Sequence, residues 1–303
     1  MQDEGGHALP AFFGIPAAEL PARSPVPLRL LADGDALHAD LARAIADEVA
    51  AGWQAQQPTR LILPVGPVRQ YTILAGICNQ RRISWRNCSI FLMDEYCDWQ
   101  GRRIPPEHPL SFLGFFERGF LQLLDEELRP PSAQVHVPDP RRLDDLSEQI
   151  EAVGGIDTCY GGIGIHGHVA FNEPPLGPWQ QVSAEEFRHS GTRLVALNAE
   201  TVVMNASRAL GGYLPALPPM AVTIGMREIG AARRIRLTCQ GGSWQRAILR
   251  IALFGSPNTA GDPADLHAGE DVRYPVTLLR AHADLEIAAD METAQPILPR
   301  QNA

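Results

Sequence analysis

Apolar residues along this chain fall into short unbroken runs separated by longer stretches with helical spacing. The runs at 60–64 and 89–93 are nearly continuous rather than alternating, which predicts strands buried in a sheet. A short apolar strand is expected at 156–160, and a further strand at 234–239. Shorter strands are expected at 28–31, 134–137, 192–197, 219–225 and 285–289. Between them, apolar positions at helical spacing predict helices over 33–53, 69–80, 112–128, 143–153 and 244–253. Strands alternating with helices imply an α/β fold: a doubly wound, mostly parallel, Rossmann-like sheet in one domain, with helices on both faces. That domain is expected to span 28–293. Residues 1–27, rich in Pro, Ala and Gly, form an N-terminal arm expected to be loosely attached, and 294–303 a C-terminal tail. The Pro/Gly-rich stretch 174–191 reads as a mobile flap.

Bulk properties remove several function classes. A net charge of −9 argues against general nucleic-acid binding, which needs a basic face, though it leaves room for a local anion pocket. No apolar run approaches membrane-spanning length, and the first residues show no cationic-then-apolar leader. The five cysteines are scattered without a Cys-x-x-Cys pair, as expected of reduced thiols in a cytoplasmic protein.

In open α/β sheets, ligands bind beyond the carboxyl ends of the strands. Two candidate segments lie there. Asp94 follows the strand at 89–93, and the glycine-rich stretch from Gly161 to Gly167 follows the strand at 156–160 and leads into His168, Asn172 and Glu173. Glycines permit sharp turns and close approach of a ligand, while imidazole and carboxylate move protons near neutral pH. Residues 162–167 formally match Gly-x-Gly-x-x-Gly, but Pro174 and Pro175 follow too soon for the helix a dinucleotide site requires. His166 and His168, two apart, would point the same way on an extended backbone and could join Asp94 or Glu173 around a metal. Spacing suggests only the histidine pair, short of a hydrolytic metal set, so no metal is assigned. Asp94 is either a general base or a solvated loop carboxylate or helix cap, and Glu173 is either functional or a turn residue.

Three segments, taken together, are specific: Met93-Asp94-Glu95-Tyr96, Pro106-Glu107-His108-Pro109-Leu110-Ser111-Phe112, and the run from Gly161 through Phe171-Asn172-Glu173-Pro174. In order and separation they resemble the glucosamine-6-phosphate deaminase/isomerase family, a branch beside the sugar-phosphate lactonases. The resemblance implies aldose–ketose isomerisation, with possible deamination, of an amino sugar or its phosphate, without metal or organic cofactor. By that resemblance Asp94 moves a proton between sugar C2 and C1, His168 assists ring opening, Glu173 supports it, and His166 modulates it. Gly66, Arg69, Glu95, Gly162, Gly164, Gly167, Asn172, Arg208, Gln245 and Arg246 become candidate substrate contacts. The expected partner is a small sugar or sugar phosphate. A homo-oligomer stays open, because the family includes monomers and hexamers.

The chain departs from the family pattern where charge matters. Ile165 and His166 stand where the family has Asn and Asp, which removes a carboxylate beside His168. The family's phosphate-binding Thr-Gly-Gly-Thr-Pro is here Val65-Gly66-Pro67-Val68-Arg69, without hydroxyls and with one amide fewer. Gln245, or Arg246 by a one-residue shift, replaces a phosphate-binding lysine, so Arg69, Arg208 and Arg246 are the residues that could rebuild the site. An insertion at 98–105 is expected near the site mouth. Two alternatives follow from these losses: a lactonase on the same fold, and a non-catalytic sugar-binding homologue.

Overall fold

In the computed structural model, residues 9–66, 68–175, 177, 181–259, 262 and 265–297 are described here. Ten strands alternate with nine α-helices among them. In chain order these are α1 (Leu20–Arg23), β1 (Leu28–Leu31), α2 (Gly34–Gln54), β2 (Thr59–Leu63), α3 (Gln70–Arg81), β3 (Cys88–Leu92), β4 (Asp94–Cys97), α4 (Phe112–Gly119), β5 (Val135–His136) and α5 (Asp145–Ala152). There follow β6 (Thr158–Gly162), α6 (Ala184–Arg188), β7 (Arg193–Ala196), α7 (Ala199–Ala209), β8 (Met220–Thr223), α8 (Met226–Gly230), β9 (Arg234–Cys239), α9 (Arg246–Phe254) and β10 (Leu285–Asp290).

Seven strands form a parallel sheet in the order β1-β10-β9-β6-β2-β3-β5. Within it β2 and β3 are the continuous apolar runs, and their side chains divide by parity. Leu61, Leu63, Ile90 and Leu92 face a core built with α2, α3 and α4, whereas Ile62, Phe91 and Met93 face the opposite core with α8 and α9. Helix α2 starts where Asp33 accepts a hydrogen bond from the Ala36 amide, and it buries Leu37, Leu41, Ile45 and Val49 at helical spacing. Each fully buried Leu or Ile in these layers is worth about 2–5 kcal/mol against truncation to Ala.

The strands at 192–197 and 219–225 form as expected, but outside the parallel sheet. β4, β8 and β7 make a separate three-stranded antiparallel sheet, covering a small core of Tyr96, Phe171, Ala206, Leu217 and Ala221. Met93 is the crossover. Its amide bonds to Leu63 in the large sheet, and its carbonyl accepts from the Ile224 amide beside the small one.

Two further expectations change. The helix expected over 112–128 stops at Gly119, because Phe120 leaves helical geometry to pack, fully buried, against Tyr71, Trp85 and Phe116. The arm expected to be loose is packed over its described part. Phe13, Ile15, Ala17 and Leu20 are core residues, and the buried Arg250 guanidinium donates to the Ile15 carbonyl at 2.9 Å. Residues 1–8 and 298–303 of the arm and tail, and 176 and 178–180 of the expected flap, lie outside the described residues. No helix among the described residues is long and apolar enough to cross a membrane.

Candidate active site

From β2 the chain winds outward through β3, and from β6 outward through β9, so the sheet's connections reverse direction between β2 and β6. Such a switch point leaves a crevice at the carboxyl ends of the strands. A cavity of about 470 Å³ lies there, walled by the loops after β2 and β6, the start of β4, the turn before α4, and α7. Its lining includes Gly66, Asp94, Tyr96, Gly162, Gly164, His168, Arg208, Gln240 and Gln245.

Asp94 opens β4 opposite Thr223 and is 7% exposed. It is thus a strand residue held by the small sheet, neither a solvated loop carboxylate nor a helix cap. Burial, with the neighbouring Glu95 charge adding to it, pushes its pKa up to about 8. Glu95 points elsewhere. It is buried and accepts hydrogen bonds from the Ser111 hydroxyl and from the Phe112 and Leu113 amides, at 2.7–3.0 Å. Those amides begin α4, so Glu95 caps that helix and fixes the wall of the cavity rather than lining it.

The loop after β6 is a closed turn. The Gly164 amide bonds to the His168 carbonyl, the Gly167 amide to the Gly164 carbonyl, and the Val276 amide to Gly167. Gly167 takes φ +76°, and a Cβ on Gly164 would come within 1.9 Å of His168 Nε2, so both positions require glycine. This turn, not an extended backbone, brings the rings of His166 and His168 to 5.7 Å between centroids. Among the described residues no helix follows until Ala184, which agrees with setting the dinucleotide reading aside.

His168 Nδ1 lies 4.0 Å from Glu173 Oε1, too far for a hydrogen bond. Burial, with His166 nearby, lowers the His168 pKa to about 3, and burial raises that of Glu173. His168 is therefore held as the neutral imidazole, and the two do not form an ion pair. Glu173 Oε2 accepts from the Asn198 amide at 2.6 Å, and His166 Nε2 stands 3.5 Å from Glu200 Oε2. His166 and Glu173 do not line the cavity; they sit behind His168.

The remaining candidates divide. Gln245 reaches the cavity, donating to the Ile163 carbonyl and accepting from the Gln240 amide. Arg208 reaches it with its guanidinium stacked 4.7 Å over the Trp244 ring. Arg69 does not: it is 71% exposed and paired with Asp35. Arg246 does not either, since it faces the Glu292 carbonyl. Asn172 is fully buried within the framework, donating to the Val169 and Ile224 carbonyls and accepting from Arg193. Pro67 lies outside the described residues. The insertion at 98–105 folds back on itself through Asp98, Gly101 and Arg102 and lines none of the cavity.

A search of curated proteins finds a glucosamine-6-phosphate deaminase of Porphyromonas gingivalis 34% identical over 208 residues, covering 67% of this chain and 72% of that protein. The chain belongs to the glucosamine-6-phosphate deaminase family. No protein-family model matches it. Among solved structures, a monomeric glucosamine-6-phosphate deaminase superposes with a TM-score of 0.71 at 22% identity, covering 88% of this chain and 98% of that one. A 6-phosphogluconolactonase from Trypanosoma cruzi reaches 0.61 at 16% identity, over 88% and 95%. The deaminase family and the lactonases thus share this fold.

Three residues around this candidate site were not anticipated from the sequence: Arg193, which holds Asn172, and Asn198 and Glu200, which hold Glu173 and His166. The last two open α7, whose helical spacing over Ala199–Ala209 was the signal available.

Proposed function

We propose that this chain isomerises and deaminates an amino-sugar phosphate of the glucosamine 6-phosphate type. The observation that carries the reading is Asp94: a buried carboxylate on the cavity wall, tuned to about 8. A base poised near working pH is what proton transfer between adjacent sugar carbons demands. Asp94 takes the C2 proton and returns it at C1, which leaves C2 as an iminium that water hydrolyses with loss of ammonia. His168, on the same cavity, assists ring opening, and Glu173 and His166 hold that imidazole from behind. Arg208 is the one guanidinium among the described lining residues and is assigned to the phosphate, with Gly66 supplying backbone beside it. Gln245 fixes the loop at Ile163 rather than carrying charge.

The catalytic unit is assigned to 28–293, with 1–27 and 294–303 as flanks. All five cysteines are free and buried, which suits a reducing cytoplasm. A substrate panel tests the reading: glucosamine 6-phosphate, unphosphorylated glucosamine and 6-phosphogluconolactone. Ammonia and ketose phosphate from the first alone are expected. Lactone hydrolysis without ammonia release would replace the deaminase reading with the lactonase one.

A further inference from the structure

His168 and the two groups behind it, His166 and Glu173, have a property that the proton-transfer reading does not use. One ligand atom each of His166, His168 and Glu173 lies within 4.8 Å of the others. His166 Nδ1, His168 Nδ1 and Glu173 Oε1 are all buried and lack a hydrogen bond of ordinary length, with the buried Thr201 hydroxyl lying near Glu173. His168 and Glu173 are each 8% exposed. Buried polar atoms are almost always satisfied, so three orphans in one cluster point to something that binds them together.

We propose that His166, His168 and Glu173 hold a divalent transition-metal ion, with zinc as the first candidate. The donor set is the first argument. Two imidazoles and one carboxylate suit zinc, cobalt or iron, whereas magnesium and calcium prefer oxygen ligands. The arrangement around the donors is the second. A metal-bound histidine usually presents its other ring nitrogen to a carboxylate or carbonyl. His166 does so, with Nε2 at 3.5 Å from Glu200. Glu173 is oriented likewise, its Oε2 held by the Asn198 amide at 2.6 Å. His168 has Nε2 packed against Gly164 and its Nδ1 toward Glu173. For His166 and Glu173 the outward atom is thus held and the inward atom unpaired, and His168 adds an unpaired Nδ1. His168 Nδ1 and Glu173 Oε1, 4.0 Å apart, need to close by less than about 1 Å to share an ion at bonds of about 2.0–2.2 Å, within reach of side-chain rotation.

The ion's place follows from the cavity wall. Gly164 and His168 line the cavity, and His166 and Glu173 do not. The ion therefore sits behind the imidazole and away from the sugar. It is a positioning group: it occupies Nδ1 and fixes His168 with Nε2 toward the Gly164 side. Three protein ligands leave its coordination incomplete, so a chelator should remove it.

The test uses the full chain, stripped with a chelator and then titrated with Co²⁺ followed by absorption and with Zn²⁺ followed by calorimetry. One ion per chain is expected, with cobalt bands of a nitrogen/oxygen site and a melting temperature raised by zinc. His166→Ala and Glu173→Gln should each weaken binding by at least about 100-fold, the upper end of what losing a mere partner of a ligand costs. The exposed His267→Ala should bind as the unaltered chain does. His166→Asn, at a partly exposed position, keeps the test decisive if Glu173→Gln fails to fold, as judged by circular dichroism. No cobalt bands and no heat would overturn the proposal, and so would binding that survives loss of His166. A water-filled cluster gives that first result. Because the readout is metal and not turnover, either outcome leaves the deaminase reading to be judged separately.

Discussion

The two ends of the parallel sheet carry similar residues and opposite chemistry. At the amino ends of β2, β6 and β9 there is a polar cavity of about 540 Å³, slightly larger than the one at the carboxyl ends. Its carboxylates are saturated. Glu48 accepts from Thr158, Tyr160 and Arg234 at 2.7–2.8 Å, and Asp157 accepts from the Arg60 amide and pairs with Arg60 and Arg233. At the carboxyl ends, Asp94 is raised by burial, and His166, His168 and Glu173 each keep an unpaired buried atom. Polar groups that are fully partnered hold a structure together, and those left poised are available to a ligand. Cavity size does not separate the two ends; the saturation of their carboxylates does.

Four substitutions sharpen that contrast. Asp94→Asn is expected to lower kcat by about 10²–10⁴-fold while the fold persists, as steady-state ammonia release and circular dichroism will show. Glu48→Ala should do the reverse. It leaves Thr158, Tyr160 and Arg234 without their acceptor, so urea unfolding should report about 2–3 kcal/mol less stability, with kcat per folded molecule unchanged. The Coulombic share of that loss is small, because Arg234 is 42% exposed. Arg208→Ala should raise KM for glucosamine 6-phosphate about tenfold and leave kcat and the melting temperature nearly unaltered, which separates phosphate contact from general damage. The smallest effect belongs to Arg69→Ala. Its exposed pair with Asp35 is worth less than about 1 kcal/mol, and neither KM nor melting should shift measurably.

Asp94 also links stability to pH. Its folded pKa of about 8 lies above the ordinary value of 3.8. Between these the folded chain holds a proton that the unfolded chain has released. The contribution to stability is therefore complete below about pH 4 and is lost as pH rises towards 8. In Asp94→Asn that decline should disappear from the stability-versus-pH curve.

Much of this was legible in the sequence because the relevant signals are local. The unbroken apolar runs at 60–64 and 89–93 marked central parallel strands, and the glycines before His168 marked the turn that Gly164 and Gly167 make. What escaped was set by tertiary contact. Residues 192–197 and 219–225 have strand patterns that say nothing about which sheet they join; pairing with β4 decides it. The loose-arm reading of 1–27 followed Pro, Ala and Gly content and overlooked Phe13, Ile15 and Leu20, which bury against α9 and the sheet. Arg69, Arg208 and Arg246 were equivalent on paper, and only their placement shows that one reaches the cavity. Glu95 sits beside Asp94 in sequence but alternates to the other side of β4, where it caps α4.

The most direct test of the central claim is ammonia release from glucosamine 6-phosphate, measured from about pH 6 to about pH 10 for the unaltered chain and for Asp94→Asn in parallel. The account predicts kcat/KM that rises with pH through an inflection near 8, as the base loses its proton, and a flat, near-background profile in the variant. Equal rates in the two proteins, or an inflection near the ordinary carboxylate value, would contradict it.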